Sequence, residues 1–175
     1  MSHQSPLSQW METVSSMLPK LSRPQAKVLA YWSFGMVLAK ACGITLVCAA
    51  LALQVDSSEQ SLLQRLREWC YGAKDKKGEK RRDLDVSSCF GPLLRWILAW
   101  WPADEPRLAL ALDATTLSKR FTVLCISVVY RGCAIPVAWK GVGAEQKGAW
   151  QPHWLKLLEQ LEDSVPERLL GAGDE

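Results

Sequence analysis

The chain has few of the residues that most often build metal or redox sites. Histidine occurs only twice, at His3 and His153, and neither has a second ligand at zinc spacing. The six cysteines, at 42, 48, 70, 89, 125 and 133, include no Cys-x-x-Cys pair. A structural zinc site is therefore not expected, and nothing in the spacing suggests a disulfide framework. Several cysteines lie inside apolar runs, where they act as small hydrophobes, and a reducing cytoplasm is the natural compartment. The N-terminus, Met-Ser-His-Gln-Ser-Pro, lacks the charged start and apolar core of a signal peptide. Strong charge of one sign is missing too, the net value being +3.

A long, charge-free apolar run is also lacking. The nearest approach is Tyr31–Leu53, interrupted near its middle by Lys40. A central lysine costs about 2.5–3.5 kcal/mol on insertion scales, and Gly43 is a natural helix stop. The run is expected to be two buried helices and not a membrane span.

What is present is a foldable chain of 175 residues, 49% of them hydrophobic. That suffices for one ordinary domain, or for a small domain and part of a second. Charge is uneven. Between Arg65 and Arg82 lie eight basic residues and three acids, an asymmetry that favours a polyanion-binding patch over a merely solvated loop only when other signals agree.

The chain divides at Trp101-Pro102-Ala103-Asp104-Glu105-Pro106, where two prolines stop helix continuation. Residues 1–101 read as helical. Leu7–Leu18 forms one helix, ended by Pro19, and Pro24 opens another that runs to about Lys40. A third covers about Ile44–Leu53. Asp56 caps a fourth, with Glu59 as its capping-box partner; Leu62, Leu66 and Trp69 share one face, and Arg65 and Arg67 point to water. The charged loop Ala73–Asp85, with Gly78, is expected to be mobile. Ser87 or Ser88 starts a fifth helix that aligns Leu94, Leu98 and Trp101. The predicted arrangement is a bundle of four or five helices with a basic loop.

After residue 106 the period changes. Arg107–Asp113 reads Arg-Leu-Ala-Leu-Ala-Leu-Asp, a strand apolar on both faces and so expected to be central, ending at Asp113. Ala114–Arg120 is the connection. Phe121–Tyr130 is a second strand, and Arg131-Gly132 is a two-residue hairpin turn. Cys133–Trp139 is its antiparallel partner, placed by Pro136 at an edge or at a bulge. Pro152 opens a last helix, on which Trp154, Leu157, Leu158 and Leu161 form one apolar face. The nine tryptophans are expected mostly in the core. The fold class is α+β.

The run Leu110-Ala111-Leu112-Asp113-Ala114-Thr115-Thr116, followed by Val129-Tyr130-Arg131-Gly132-Cys133-Ala134-Ile135-Pro136-Val137-Ala138-Trp139, resembles the DDE transposases of bacterial insertion sequences. Within these it is similar to the insertion-sequence type 4 superfamily. Most of the resemblance lies between Leu110 and about Leu161. It implies a helical region over 1–101 that is a candidate for DNA binding, a linker at 102–106, and the first part of a ribonuclease-H-like catalytic domain at 107–163. That part is three antiparallel strands and then a helix. A disordered tail is expected at 164–175.

In such enzymes three acids hold two divalent ions, usually Mg²⁺, a hard cation that takes oxygen ligands. Paired metals clamp the attacking and leaving oxygens of phosphoryl transfer. By resemblance Asp113 is the first acid, catalytic and metal-binding. Glu159, Glu162, Asp163, Glu167, Asp174 and Glu175 offer no credible second or third acid. The expectation is thus a truncated or frameshifted transposase of DNA transposition, inactive in strand cleavage alone and binding Mg²⁺ weakly. The alternatives are a DNA-binding regulator or inhibitor derived from a transposase, and a non-functional remnant. Implied partners are the DNA of transposon ends and full-length transposase, with phosphate contacts from Lys74, Lys76, Lys77, Lys80, Arg81, Arg82, Lys119 and Arg120.

Overall fold

The structure is a computed structural model, and it describes residues 5–76, 82–145 and 150–169. The chain falls into two compact units, Met1–Asp85 and Val86–Glu175.

The first unit holds α1 (Pro6–Met17), α2 (Arg23–Ala39), α3 (Ile44–Ala52) and α4 (Glu59–Trp69). Local sequence sets each boundary. Ser5 caps α1 by accepting from the Ser8 N–H at 3.2 Å. Ser22 and Gln25 form a capping box at α2, with Pro24 in its first turn. Lys40 closes α2 in the left-handed conformation at φ 49°, a C-terminal geometry usual for such stops. The cap of α4 is Ser58, which accepts from the Ser61 N–H at 3.3 Å. The expected cap, Asp56, stands two residues too early, because the chain is still turning after α3. Val47, Leu51, Leu62 and Leu66 are fully buried between these helices. Burying side chains of this size stabilises by about 1.5–3 kcal/mol each. Among the described residues no single helix is long and apolar enough to cross a membrane; α2 and α3 meet that test only together, bent by 91°.

The second unit starts earlier than the linker prolines suggest. A 3-10 turn at Ser87–Cys89 leads into α5 (Phe90–Leu98). The predicted fifth bundle helix packs instead with the sheet, because Phe90, Leu94 and Leu98 share a core with strand residues. Pro102–Pro106 lies within this unit, and Trp101 just before it packs on Tyr130 with ring centroids 5.1 Å apart. The division of the chain is at Asp85/Val86 and not at 102–106.

The sheet has three antiparallel strands in the order β1 (Leu110–Leu117), β2 (Phe121–Tyr130), β3 (Cys133–Gly143), and α6 (Gln151–Glu162) follows. Arg131 and Gly132 both have positive φ, 47° and 80°, the pairing a two-residue type I′ hairpin requires. A bulge falls where Ile126 pairs with Ala138 and Ser127 with Pro136. Both edge and bulge therefore accommodate Pro136, as expected. Leu124, Ile126 and Val128 of β2 are fully buried in one core with Leu157 and Leu161 of α6.

Two expectations fail here. β1 is an edge strand, not a central one; its apolar character covers only part of the core, and Leu112 stays 50% exposed. The tail expected to be disordered from residue 164 is ordered through residue 169. Ser164 is buried and accepts from the Arg95 guanidinium at 2.6 Å. Leu169, on a 3-10 turn at Glu167–Leu169, enters the core. Residues 170–175 lie outside the described residues.

Hydrogen bonding fixes the polarity of β1's two sides. The Val129 N–H donates to the Ala109 C=O at 2.9 Å. In an antiparallel ladder only every second residue bonds to a given neighbour. With Leu110 opposite Val128, residues 111, 113, 115 and 117 bond to β2. The N–H and C=O groups of Leu110, Leu112, Ala114 and Thr116 point to the free edge.

Candidate functional site

Asp113 is the fourth residue of β1, not its last. The strand runs on because Thr115 and Thr116 are β-branched and pair with Val123 and Thr122. Cross-strand partners share a face. Leu112 and Ala114, opposite the buried Ile126 and Leu124, therefore face the helix-covered core. Asp113, opposite Cys125, faces the other way and is exposed. Its carboxylate accepts a hydrogen bond from the Thr115 hydroxyl, two residues along the same face. Across β2, Cys125 is half-buried, and its thiol lies 3.6 Å from the Ser127 hydroxyl. The site is thus a carboxylate standing on the open face of a sheet, beside a free strand edge.

Asp113 supplies one of the carboxylates a two-metal centre needs. Among the described residues no group of three or more His, Cys, Asp or Glu side chains could hold a metal ion. The described residues therefore do not fit a complete Mg²⁺ centre.

The candidate DNA contacts are divided between the two units. Lys119 and Arg120 sit in the β1–β2 turn, roughly 13 Å beyond Asp113 along the strand by its rise per residue. The Arg120 guanidinium lies 5.7 Å from the Phe121 ring centroid. Lys74, Lys76 and Arg82 belong to the first unit. Their loop is tied down at both ends: the Ala73 N–H donates to the Asp83 carboxylate at 2.6 Å, and the Gln25 amide to the Asp83 C=O at 3.2 Å. The Lys76 ammonium donates to the Arg82 C=O at 2.8 Å. These bonds link the described ends of the loop; residues 77–81, the middle of the segment expected to be mobile, lie outside the described residues. Lys77, Lys80 and Arg81 lie outside the described residues.

A concave site in the second unit escapes sequence reasoning. Trp139 and Lys140 of β3, Phe90 of α5, and His153, Lys156 and Gln160 of α6 line a cavity of about 410 Å³. The signal for it was available on α6. His153, Lys156 and Gln160 fall at i, i+3 and i+7, a polar stripe beside the apolar one. What the sequence could not give is that β3 runs on past Trp139 to Gly143 and so brings Lys140 to the same place.

No protein-family model, no curated protein and no solved structure matches this chain.

Proposed function

We propose that the chain is a DNA-binding protein of transposase descent, working in the cytoplasm. On this reading residues 107–163 correspond to the front of a ribonuclease-H-like catalytic domain, and Asp113 to its first acid. One observation carries the reading: an antiparallel β1–β2–β3 meander, packed on one face by the helix that follows it, with a carboxylate open on the other face of β1. The local sequence around Asp113 supports the same ancestry.

A lone carboxylate leaves Mg²⁺ mostly hydrated, so Asp113 needs partner acids to hold a two-metal centre. DNA association needs no such partner. Lysine and arginine displace counterions from phosphates, giving affinity that is independent of sequence and steep in salt. A chain that binds this way without cutting would occupy DNA ends that an intact transposase needs, and so act as an inhibitor of transposition.

The test is binding of the full chain to a labelled DNA duplex in Mg²⁺. Binding at low salt without strand cleavage is expected. Replacing Lys76 and Arg82 by alanine reduces the slope of log affinity against log salt by roughly 2, at about 0.9 per phosphate contact. Cleavage by the chain alone would refute the proposed limit on its chemistry, and no binding at low salt would refute the DNA-binding role.

A further inference from the structure

The cavity between β3, α5 and α6 has the composition of a nucleotide site. Its volume, about 410 Å³, lies within the range of small-ligand pockets. Three of its lining side chains, Lys140, His153 and Lys156, are basic, and none is acidic. Neither lysine has a hydrogen-bond or ion-pair partner among the described residues. Trp139 forms an aromatic wall. Its ring packs against Phe90 at 5.0 Å between centroids and 57° between planes. Phe90 is buried, whereas Trp139 keeps 40% of its surface exposed. Gln160 adds an amide that both donates and accepts.

We infer that this cavity binds a nucleoside monophosphate unit, the base lying on Trp139 and the phosphate held by Lys140 and Lys156. A planar π-system suits the exposed indole, and base–aromatic stacking tolerates any base. Two unpaired ammonium groups suit a phosphate. An apolar ligand would leave both lysines without a counter-charge, and an inorganic anion would leave the indole unused. The same chemical unit occurs as a free mononucleotide and within a single DNA strand. The inference stands independently of transposase ancestry, because it uses no residue of β1.

The test uses the full chain and follows binding by two-dimensional NMR and calorimetry. The probes are deoxyadenosine monophosphate, inorganic phosphate and an eight-residue oligothymidylate. Binding of the mononucleotide in clear preference to phosphate is expected, with shifts confined to residues around the cavity. Trp139→Ala weakens it about 5- to 150-fold, the range of one stacked base; Trp139→Phe retains a ring and most of the affinity. If the source is a DNA strand, the oligomer binds tighter than the mononucleotide. Lys140→Ala and Lys156→Ala then each lower its salt slope by about 0.7. If the source is the free nucleotide, the oligomer shows no such gain. Equal binding of phosphate and mononucleotide, unchanged affinity in a folded Trp139→Ala protein, or no shift at millimolar probe would each overturn the inference. Circular dichroism of every variant separates loss of binding from loss of fold.

Discussion

Asp113 and Leu124 sit on neighbouring strands, one residue out of register with each other, and their burial differs completely. Leu124 is fully buried, whereas Asp113 is exposed and its carboxylate accepts from the Thr115 hydroxyl two residues along the strand. Leu124→Ala leaves a cavity that the sheet and α6 cannot fill, and it lowers stability by about 2–5 kcal/mol. Asp113→Asn changes stability by no more than about 0.5 kcal/mol. Urea denaturation of the two variants checks the contrast. A large loss from Asp113→Asn would mean that the carboxylate is a structural group, and would weaken its reading as a former ligand. The thiols divide in a similar way. Burial pushes the Cys48 thiol up from its usual value, so Cys48 belongs to the packing of the helical unit and is a poor nucleophile. Cys42, Cys70 and Cys133 are exposed.

At the scale of the element, β1 tests the hydrogen-bond parity directly. The Ala114 N–H points to the free edge and the Thr115 N–H to β2. Proline removes a donor wherever it is placed, and edge strands accept it only where the N–H faces solvent. Ala114→Pro is therefore expected to be clearly milder than Thr115→Pro, which strands the Val123 C=O and loses about 1–3 kcal/mol on that account. Chemical denaturation of both variants reads the difference, and equal losses would contradict the parity. Close approach constrains α5 as well. A Cβ at Gly91 would stand 2.6 Å from the Ser164 hydroxyl, so Gly91→Val forces α5 off its seat and is expected to cost about 1–3 kcal/mol.

These elements also measure what the sequence revealed. β2 was legible to the residue, since Phe121–Tyr130 is uniformly rich in β-formers and ends at an Arg-Gly turn. The helices were legible from their periodicity, and α2 from Pro24. β1 was misread at both ends. Its apolar residues, Leu108 to Leu112, signalled burial, but strand pairing is decided by the partner, and β2 offers Val123 and Thr122 to Thr115 and Thr116. The assignment of α5 failed for a related reason. An apolar helical face tells that a helix is covered, not by what. The cavity in the second unit needed three elements distant in sequence, which no local pattern reports.

For the whole molecule, two cores on either side of Asp85 make a prediction about cooperativity. Chains with separate compact units often depart from two-state unfolding. Leu66→Ala in the first core and Leu124→Ala in the second are expected to shift different transitions, seen as non-coincident helical and tryptophan signals. A single transition moved equally by both would show that the units unfold as one. The free edge matters at this scale too. β1 has no proline, no lysine and no bulge along its length, the devices that usually blunt an edge.

The parity of β1 has a last consequence. An antiparallel strand joining that edge would bond to Leu112 and Ala114, the residues on either side of Asp113. Asp113 then forms a non-bonded pair with the newcomer, the kind in which side chains stand closest, with Cα atoms about 4.5 Å apart. Whatever residue arrives there is selected by charge. Lysine or threonine is welcomed, and a second carboxylate is rejected unless a cation comes with it. A charge at that position on a joining strand would therefore shift its pairing with β1 by about 0.2–1 kcal/mol.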